Sequence, residues 1–588
     1  MTIFNNNTLK TITIIITASL YSLGISGQDN SKYNWWNPAK NNFPAIEGQA
    51  WPEEVAATYD RLPARAEKTV QSNVWNLSHQ SAGLSIRFRT SAKEIIVRYT
   101  VTGDLAMQHM PATGVSGVDL YAIDPNGAWK WAAGRYNFGD TITYRFSALS
   151  DEAREYRLYL PLYNKVKWME LGVPDHDSIV PLQKRKEKPI VVYGTSIAQG
   201  GCASRPGLAW TSLLDRQMDR QVINLGFSGN GKLEPPVTAL VSEIDAKIFV
   251  LDCLPNISGL PPAEIQERII TAVTTLRKKR PVTPILLVEH ATPSMQMINT
   301  IGDGNYVTAN KALQDAYEKL QSTGTKKLYI LPASQINFDL SATVDGVHPA
   351  DVGMVAYAKA YESSLRIILN EPMGNINTTM PCRQYRELSF YDWDARHNEI
   401  LTMNSVQAPK VLLIGNSITH FWGGLPAAPL ARGADSWKEV LDPLGTRNLG
   451  FGYDRVENVL WRVYHDELDG YQASKIYIMI GTNNLGINTD EEIVAGLKLL
   501  VTAIRQRQPQ AGILLSGILP RTNMEKRIVR INQLIMQMAG EQQVQFINPG
   551  TVLLKADATI DASLFTDGLH PNGTGYSKLA HFLQPYLK

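Results

Sequence analysis

The chain has 588 residues, 44% apolar and 19% charged, with 57 lysines and arginines against 55 acidic residues. That length predicts roughly three or four domains of about 150 residues, each able to bury a core. The near-balance of charge, +2 overall, argues against a dedicated nucleic-acid or membrane-surface protein, which carries a basic excess or a basic face.

The first segment has a single lysine, an apolar run from Ile12 to Leu23 and small residues to Gly27. It reads as a signal peptide over 1–27, which places the protein in the periplasm or outside the cell. The run is short of the about 20 apolar residues that span a bilayer. Its weakly basic start keeps an uncleaved anchor as the alternative, and no later segment is apolar enough to span. Cys202, Cys253 and Cys382 make neither a disulfide framework nor a metal-site spacing.

Residues 28–185 alternate with period two in short runs such as "LSIRFRT", "EIIVRYTVTG", "GVDLY" and "YRLYLPLY", which predicts an antiparallel β-sandwich. "PEEVAATYDRL" is its one helix-like stretch. Trp35, Trp36, Trp51, Trp129 and Trp131 are candidates for stacking on sugars, against the plainer reading of core packing. The charged run "LQKRKEKP" reads as a linker. Over 186–372 apolar strands alternate with amphipathic helices, which predicts a parallel sheet covered on both faces. Residues 409–588 repeat the series. Between the copies, 373–408 contains "MPCRQYRELSFYDWDARHNEI", too aromatic for a free linker and expected to pack on a domain.

The chemistry lies in short strings that recur. In "VVYGTSIAQGG", Ser196 follows a strand in a turn of small residues, which would expose its hydroxyl at the ligand-binding edge of a parallel sheet. Taken alone, a serine there is more often a helix cap. In "DGVHP", Asp345 precedes His348 by three residues, so its carboxylate can orient the near ring nitrogen and leave the far one to take a proton. Gly229 in "GFSGNG" and Asn256 in "LDCLPN" are candidate oxyanion donors. The second copy offers Ser417, Asn483, Asp567 and His570 in the same order. Serine and histidine are 152 residues apart in the first copy and 153 in the second, a recurrence that chance does not explain.

These strings resemble the SGNH (GDSL-like) hydrolase superfamily, in tandem, with "GVDLY" resembling the domain that precedes one bacterial exported subtype. The second copy is similar to the platelet-activating-factor acetylhydrolase-like and acetylxylan-esterase-like branches, notably through "NLGFGYDRVENVLWRV". The resemblance implies three-layer α/β/α folds and a Ser-His-Asp mechanism with a Gly/Asn oxyanion hole, without metal or organic cofactor. Tyr453 stands where the family has the oxyanion glycine, so a bulky ring is expected near the second pocket. Glu289, His290, His420 and Trp422 are candidate substrate contacts. The expected substrate is an acetylated polysaccharide or glycan, with a lipolytic enzyme, or a carbohydrate-binding protein with one inactive copy, as alternatives. The oligomeric state is not indicated.

Overall fold

The computed structural model describes residues 32–291, 304–336 and 339–588. The apolar segment read as a signal peptide lies outside the described residues.

Two antiparallel sheets form the N-terminal sandwich. One runs Tyr33–Trp36, Val166–Pro174, Glu94–Val101, Ile142–Ser147 and Arg135–Asn137 in spatial order. The other runs Val180–Pro181, Ser85–Thr90, Arg154–Tyr159, Asp119–Ile123 and Trp129–Ala132, with Ile46–Glu47 pairing to Ser85–Thr90. Successive residues of a strand point to opposite faces, so Ile86 and Phe88 enter the core between the sheets. Arg87 and Arg89 point the other way. That outer face is covered by protein, and Arg87 is only 2% exposed.

"PEEVAATYDRL" forms turns and not the expected helix. Tyr59, Asp60, Arg61 and Leu62 are all buried, and four consecutive buried side chains do not suit a helix that offers one face to a core.

Two α/β units follow. Each has a five-stranded parallel sheet: Val222–Gly226, Ile190–Gly194, Ile248–Asp252, Ile285–Val288 and Leu328–Leu331 in the first, and Thr446–Gly450, Val411–Gly415, Lys475–Met479, Gly512–Ser516 and Gln545–Ile547 in the second. The strand order 2-1-3-4-5 puts the first strand of each unit inside its sheet, at the switch point where open α/β folds bind ligands. Both faces are covered: in the first unit Val191 and Tyr193 pack into one core, Ile190 and Val192 into the other.

The units share a buried charge network. The charged run 182–189 threads through it, with Arg185 reaching Glu47 of the sandwich and Asp215 of the first unit. Arg383, from the segment between the units, pairs with Glu155 of the sandwich at 3.0 Å and Asp219 of the first unit at 2.6 Å. Trp461 of the second unit donates to the same Asp219 carboxylate at 3.1 Å. The helix Trp393–Val406, capped by Asp392, puts Trp393 into the second unit's core. The inter-unit segment is thus an ordered layer of the fold.

Candidate active site

Each unit turns from its first strand straight into a one-turn helix, Ser196–Gln199 or Ser417–His420. Thr195 and Asn416 take the capping positions, so neither serine is the cap. The turn is tight because a glycine faces it: a Cβ at Gly226 would lie 2.3 Å from the amide nitrogen of Gln199, and one at Gly450 2.2 Å from that of His420. Asn224 and Asn448 strap the two parts together, their side-chain amides donating to Ala198 O at 2.7 Å and Thr419 O at 2.8 Å. The recurring "NLGF" string carries this signal, which went unread in the sequence.

The histidines arrive from the far end of each unit. Ser196 Oγ donates to His348 Nε2 at 2.8 Å, and His348 Nδ1 donates to Asp345 Oδ2 at 2.7 Å. The second copy repeats this, with Ser417 Oγ to His570 Nε2 at 2.9 Å and His570 Nδ1 to Asp567 Oδ2 at 2.7 Å. Burial works against ionisation of Asp345 and Asp567, but amide and imidazole donors win. Asp345 lies below the usual carboxylate range and Asp567 falls to about 2. Both aspartates are therefore anions at neutral pH and fix the tautomer that leaves Nε2 as an acceptor.

The candidate oxyanion donors also match position for position. Gly229 takes φ +66° and Tyr453 φ +59°. Asn256 donates one amide hydrogen to Asn230 O, and Asn483 donates one to Asp454 O. An amide carries two hydrogens, so the second is available for a ligand oxygen. A hydroxyl poised on an imidazole, an anion behind it and N–H donors beside it make up the arrangement that acyl transfer needs.

Models of the GDSL-like Lipase/Acylhydrolase family match residues 187–366 and 413–578, and a model of the N-terminus of Esterase_SGNH_hydro-type matches 33–179. A solved structure described as a GDSL-like lipase of Bacteroides ovatus is 32% identical, with a TM-score of 0.54, covering 58% of this chain and 98% of that one. Platelet-activating factor acetylhydrolase IB subunit alpha2 of Homo sapiens is 31% identical over 192 residues, 32% of this chain and 80% of that protein. The alpha1 subunit of Bos taurus is 28% identical over 200 residues, 33% of this chain and 82% of that protein. The chain belongs to the GDSL-like hydrolase family. It is an ester-hydrolysing enzyme with two such folds in tandem behind a GxDLY-type sandwich.

Around the first triad of this GDSL-like hydrolase, several expected contacts take other roles. Glu289 is 6% exposed, with one carboxylate oxygen accepting from Gln314 Nε2 at 2.6 Å and the other from Ala333 N at 2.8 Å. It braces the end of a strand. His290 packs on Tyr306, and burial, with the nearby His348 adding to it, pulls its pKa down to about 4.

In the second unit, Trp422 is fully buried and donates to Ser436 Oγ, so it is core and not pocket wall. His420 is 1% exposed. Its Nδ1 accepts from Gly452 N at 3.1 Å, as Gln199 Oε1 accepts from Ser228 N at 2.9 Å. Burial, aided by Arg396 and Arg462, takes its pKa down to about 2 and keeps it neutral for this bond. His420 supports the oxyanion loop and does not line a pocket. Of the sandwich tryptophans, Trp131 is exposed, whereas Trp51 is core and Trp129 lies under Arg157 and Arg383.

Residues from outside each hydrolase fold also reach its site. From the sandwich, Tyr163 Oη donates to Ser196 O at 3.3 Å, and the His109 ring lies 6.4 Å from that of His348. Buried Arg61 donates to the carbonyls of Asn224 and Gly226, and buried Arg396 to those of Asn448 and Gly450. The same support thus comes from different segments, and nothing in spacing links "YDRLP" to "YDWDAR".

The surroundings of His570 bear on the pH dependence of the second site. Burial lowers the His570 pKa, Asp567 opposes this, and Arg432 and Arg521 lower it further, with a net fall below 6.5. The base must be neutral to take the serine proton, so a lowered pKa extends activity to lower pH. In a Ser196→Ala enzyme, the acid limb of kcat/KM is expected below pH 6.5. A pH profile on a soluble ester checks this, and a limb above that value counts against it.

Proposed function

We propose that the protein is an exported serine esterase that removes short acyl groups, chiefly O-acetyl, from polysaccharides or glycans at two active sites. The observation that carries the catalytic reading is the duplicated relay, Ser196–His348–Asp345 and Ser417–His570–Asp567, with every link between 2.7 and 2.9 Å. In each, the serine attacks the ester carbonyl as histidine takes its proton, and the aspartate stabilises the imidazolium. The backbone N–H of Gly229 or Tyr453 and the amide of Asn256 or Asn483 meet the oxyanion. Histidine returns the proton to the leaving alcohol, and water, activated by the same base, releases the acid.

The acetyl preference is supported by the named activity of the acetylhydrolase relatives. The apolar cavity of about 260 Å³ bounded by Ile528, Met536 and Phe546 has no triad residue in its wall. A carbohydrate partner is supported by exposed rings, Tyr453 beside the second site and Trp131 and Tyr136 on the sandwich. Export rests on the character of segment 1–27.

Acetate release from acetylated polysaccharides, alongside a chain-length series of p-nitrophenyl esters, tests this reading. Acetate release with a rate that falls beyond about four carbons is expected. Turnover that rises with acyl length would establish a lipolytic enzyme instead.

A further inference from the structure

Tyr453 presents an unresolved physical problem. A bulky residue at φ +59° occupies a left-handed backbone region that is strained for an L-residue, and it does so at the position whose N–H is the candidate oxyanion donor. Gly229, at the matching place in the first site, carries no such penalty.

Three side chains of the segment between the two hydrolase folds donate to the backbone of this loop. Tyr391 Oη donates to Gly452 O at 2.7 Å and Gln384 Nε2 donates to the same carbonyl at 2.9 Å. Arg386 Nη2 donates to Tyr453 O at 3.0 Å. The carbonyl of Gly452 and the N–H of Tyr453 belong to one planar peptide group. Two donors on the carbonyl therefore fix the direction of that N–H and, by polarising the amide, make it a better donor.

The first site holds the matching peptide group from within its own loop. There the corresponding carbonyl, Ser228 O, accepts from Asn230 Nδ2 at 3.0 Å. The matching residue in the second site is Asp454, which accepts from Trp393 Nε1 at 2.8 Å and from Arg462 Nε at 3.0 Å. Burial lifts the Asp454 pKa to about 6, still below neutrality, and an ionised carboxylate has no hydrogen to give, so the support must come from elsewhere.

We infer that Tyr391, Gln384 and Arg386 are positioning residues for ester hydrolysis at Ser417, holding the Tyr453 N–H on the oxyanion. The inference rests on the reading of Ser417 as a nucleophile. These residues touch the oxyanion loop and not the substrate, so they act on the transition state and leave ground-state binding largely unchanged.

The test uses the full chain carrying Ser196→Ala, so that only the second site reports. Labelling of Ser417 by a fluorophosphonate and turnover of p-nitrophenyl acetate establish the premise. In that background, Tyr391→Phe is expected to lower kcat about tenfold, and Tyr391→Phe with Gln384→Leu about a hundredfold, approaching the loss of an oxyanion donor. KM is expected to stay within about twofold, because uniform binding is untouched. Affinity for an alkylboronic acid, a tetrahedral mimic, is expected to fall in step with kcat, with the thermal midpoint unchanged. An unchanged kcat, a change confined to KM, or a kcat loss that merely tracks the thermal midpoint would overturn the inference while leaving Ser417 a nucleophile. Absence of both labelling and turnover in the Ser196→Ala protein would remove its premise.

Discussion

Replacing Ser196 and Ser417 together by alanine is expected to lower ester turnover by about 10⁴-fold or more, the scale on which removal of a triad nucleophile acts. Each single variant is expected to keep the activity of the other site, because the two relays share no residue. The change is small in structural terms: it deletes one hydroxyl whose partner is the histidine. Steady-state rates on p-nitrophenyl acetate and acetate release from polysaccharide measure the outcome. If Ser196→Ala alone removes all turnover, the second site is silent. If the double variant keeps substantial activity, the nucleophile lies elsewhere. Differing substrate profiles of the two single variants would show that the sites divide the work.

Arg383→Met is expected to destabilise the protein by about 3–5 kcal/mol, the usual consequence of removing one partner from a buried ion pair. Arg383 is fully buried and faces Asp219, Glu155 and Asp394 at 2.6, 3.0 and 3.4 Å. Burial disfavours its charge, but Asp219 and Glu155 outweigh that and keep it protonated. Its removal leaves Glu155 and Asp219 short of a cation in a buried interface among three units. Arg383→Lys is not expected to restore the loss, since one ammonium cannot reproduce the guanidinium fork. A drop in the thermal midpoint, with the residual kcat of each site near normal below it, checks the expectation. An unchanged midpoint would mean that the network is energetically neutral.

The tandem architecture and the triads were legible in the sequence because both depend on local rules. Strand and helix periodicities, the "GxS" turn after an apolar run, and an Asp three residues before a His are short-range patterns. Their repetition at nearly equal separation made weak signals strong together. The four softer candidates fared differently. Glu289 and His290 end a strand beside the site, yet Gln314 and Ala333 occupy the Glu289 carboxylate. Trp422, two residues past the first helical turn, is drawn into the core. His420 binds the loop that Gln199 binds in the first copy; both stand three residues after the serine, but only the folded chain shows what that position touches.

By itself, then, the sequence determined the fold of each unit, the order of the units and which serine, histidine and aspartate strings recur, because these follow from side-chain periodicity and residue type along the chain. Only the tertiary structure decided what surrounds those residues. Arg61 lies 163 residues from Asn224, whose carbonyl it holds, and Tyr391 lies 61 residues from Gly452. No recurring string in this sequence marks these pairs, as the serine and histidine strings mark theirs. Their pairing arises because buried carbonyls require donors, and the folded chain supplies them from whichever segment packs nearest.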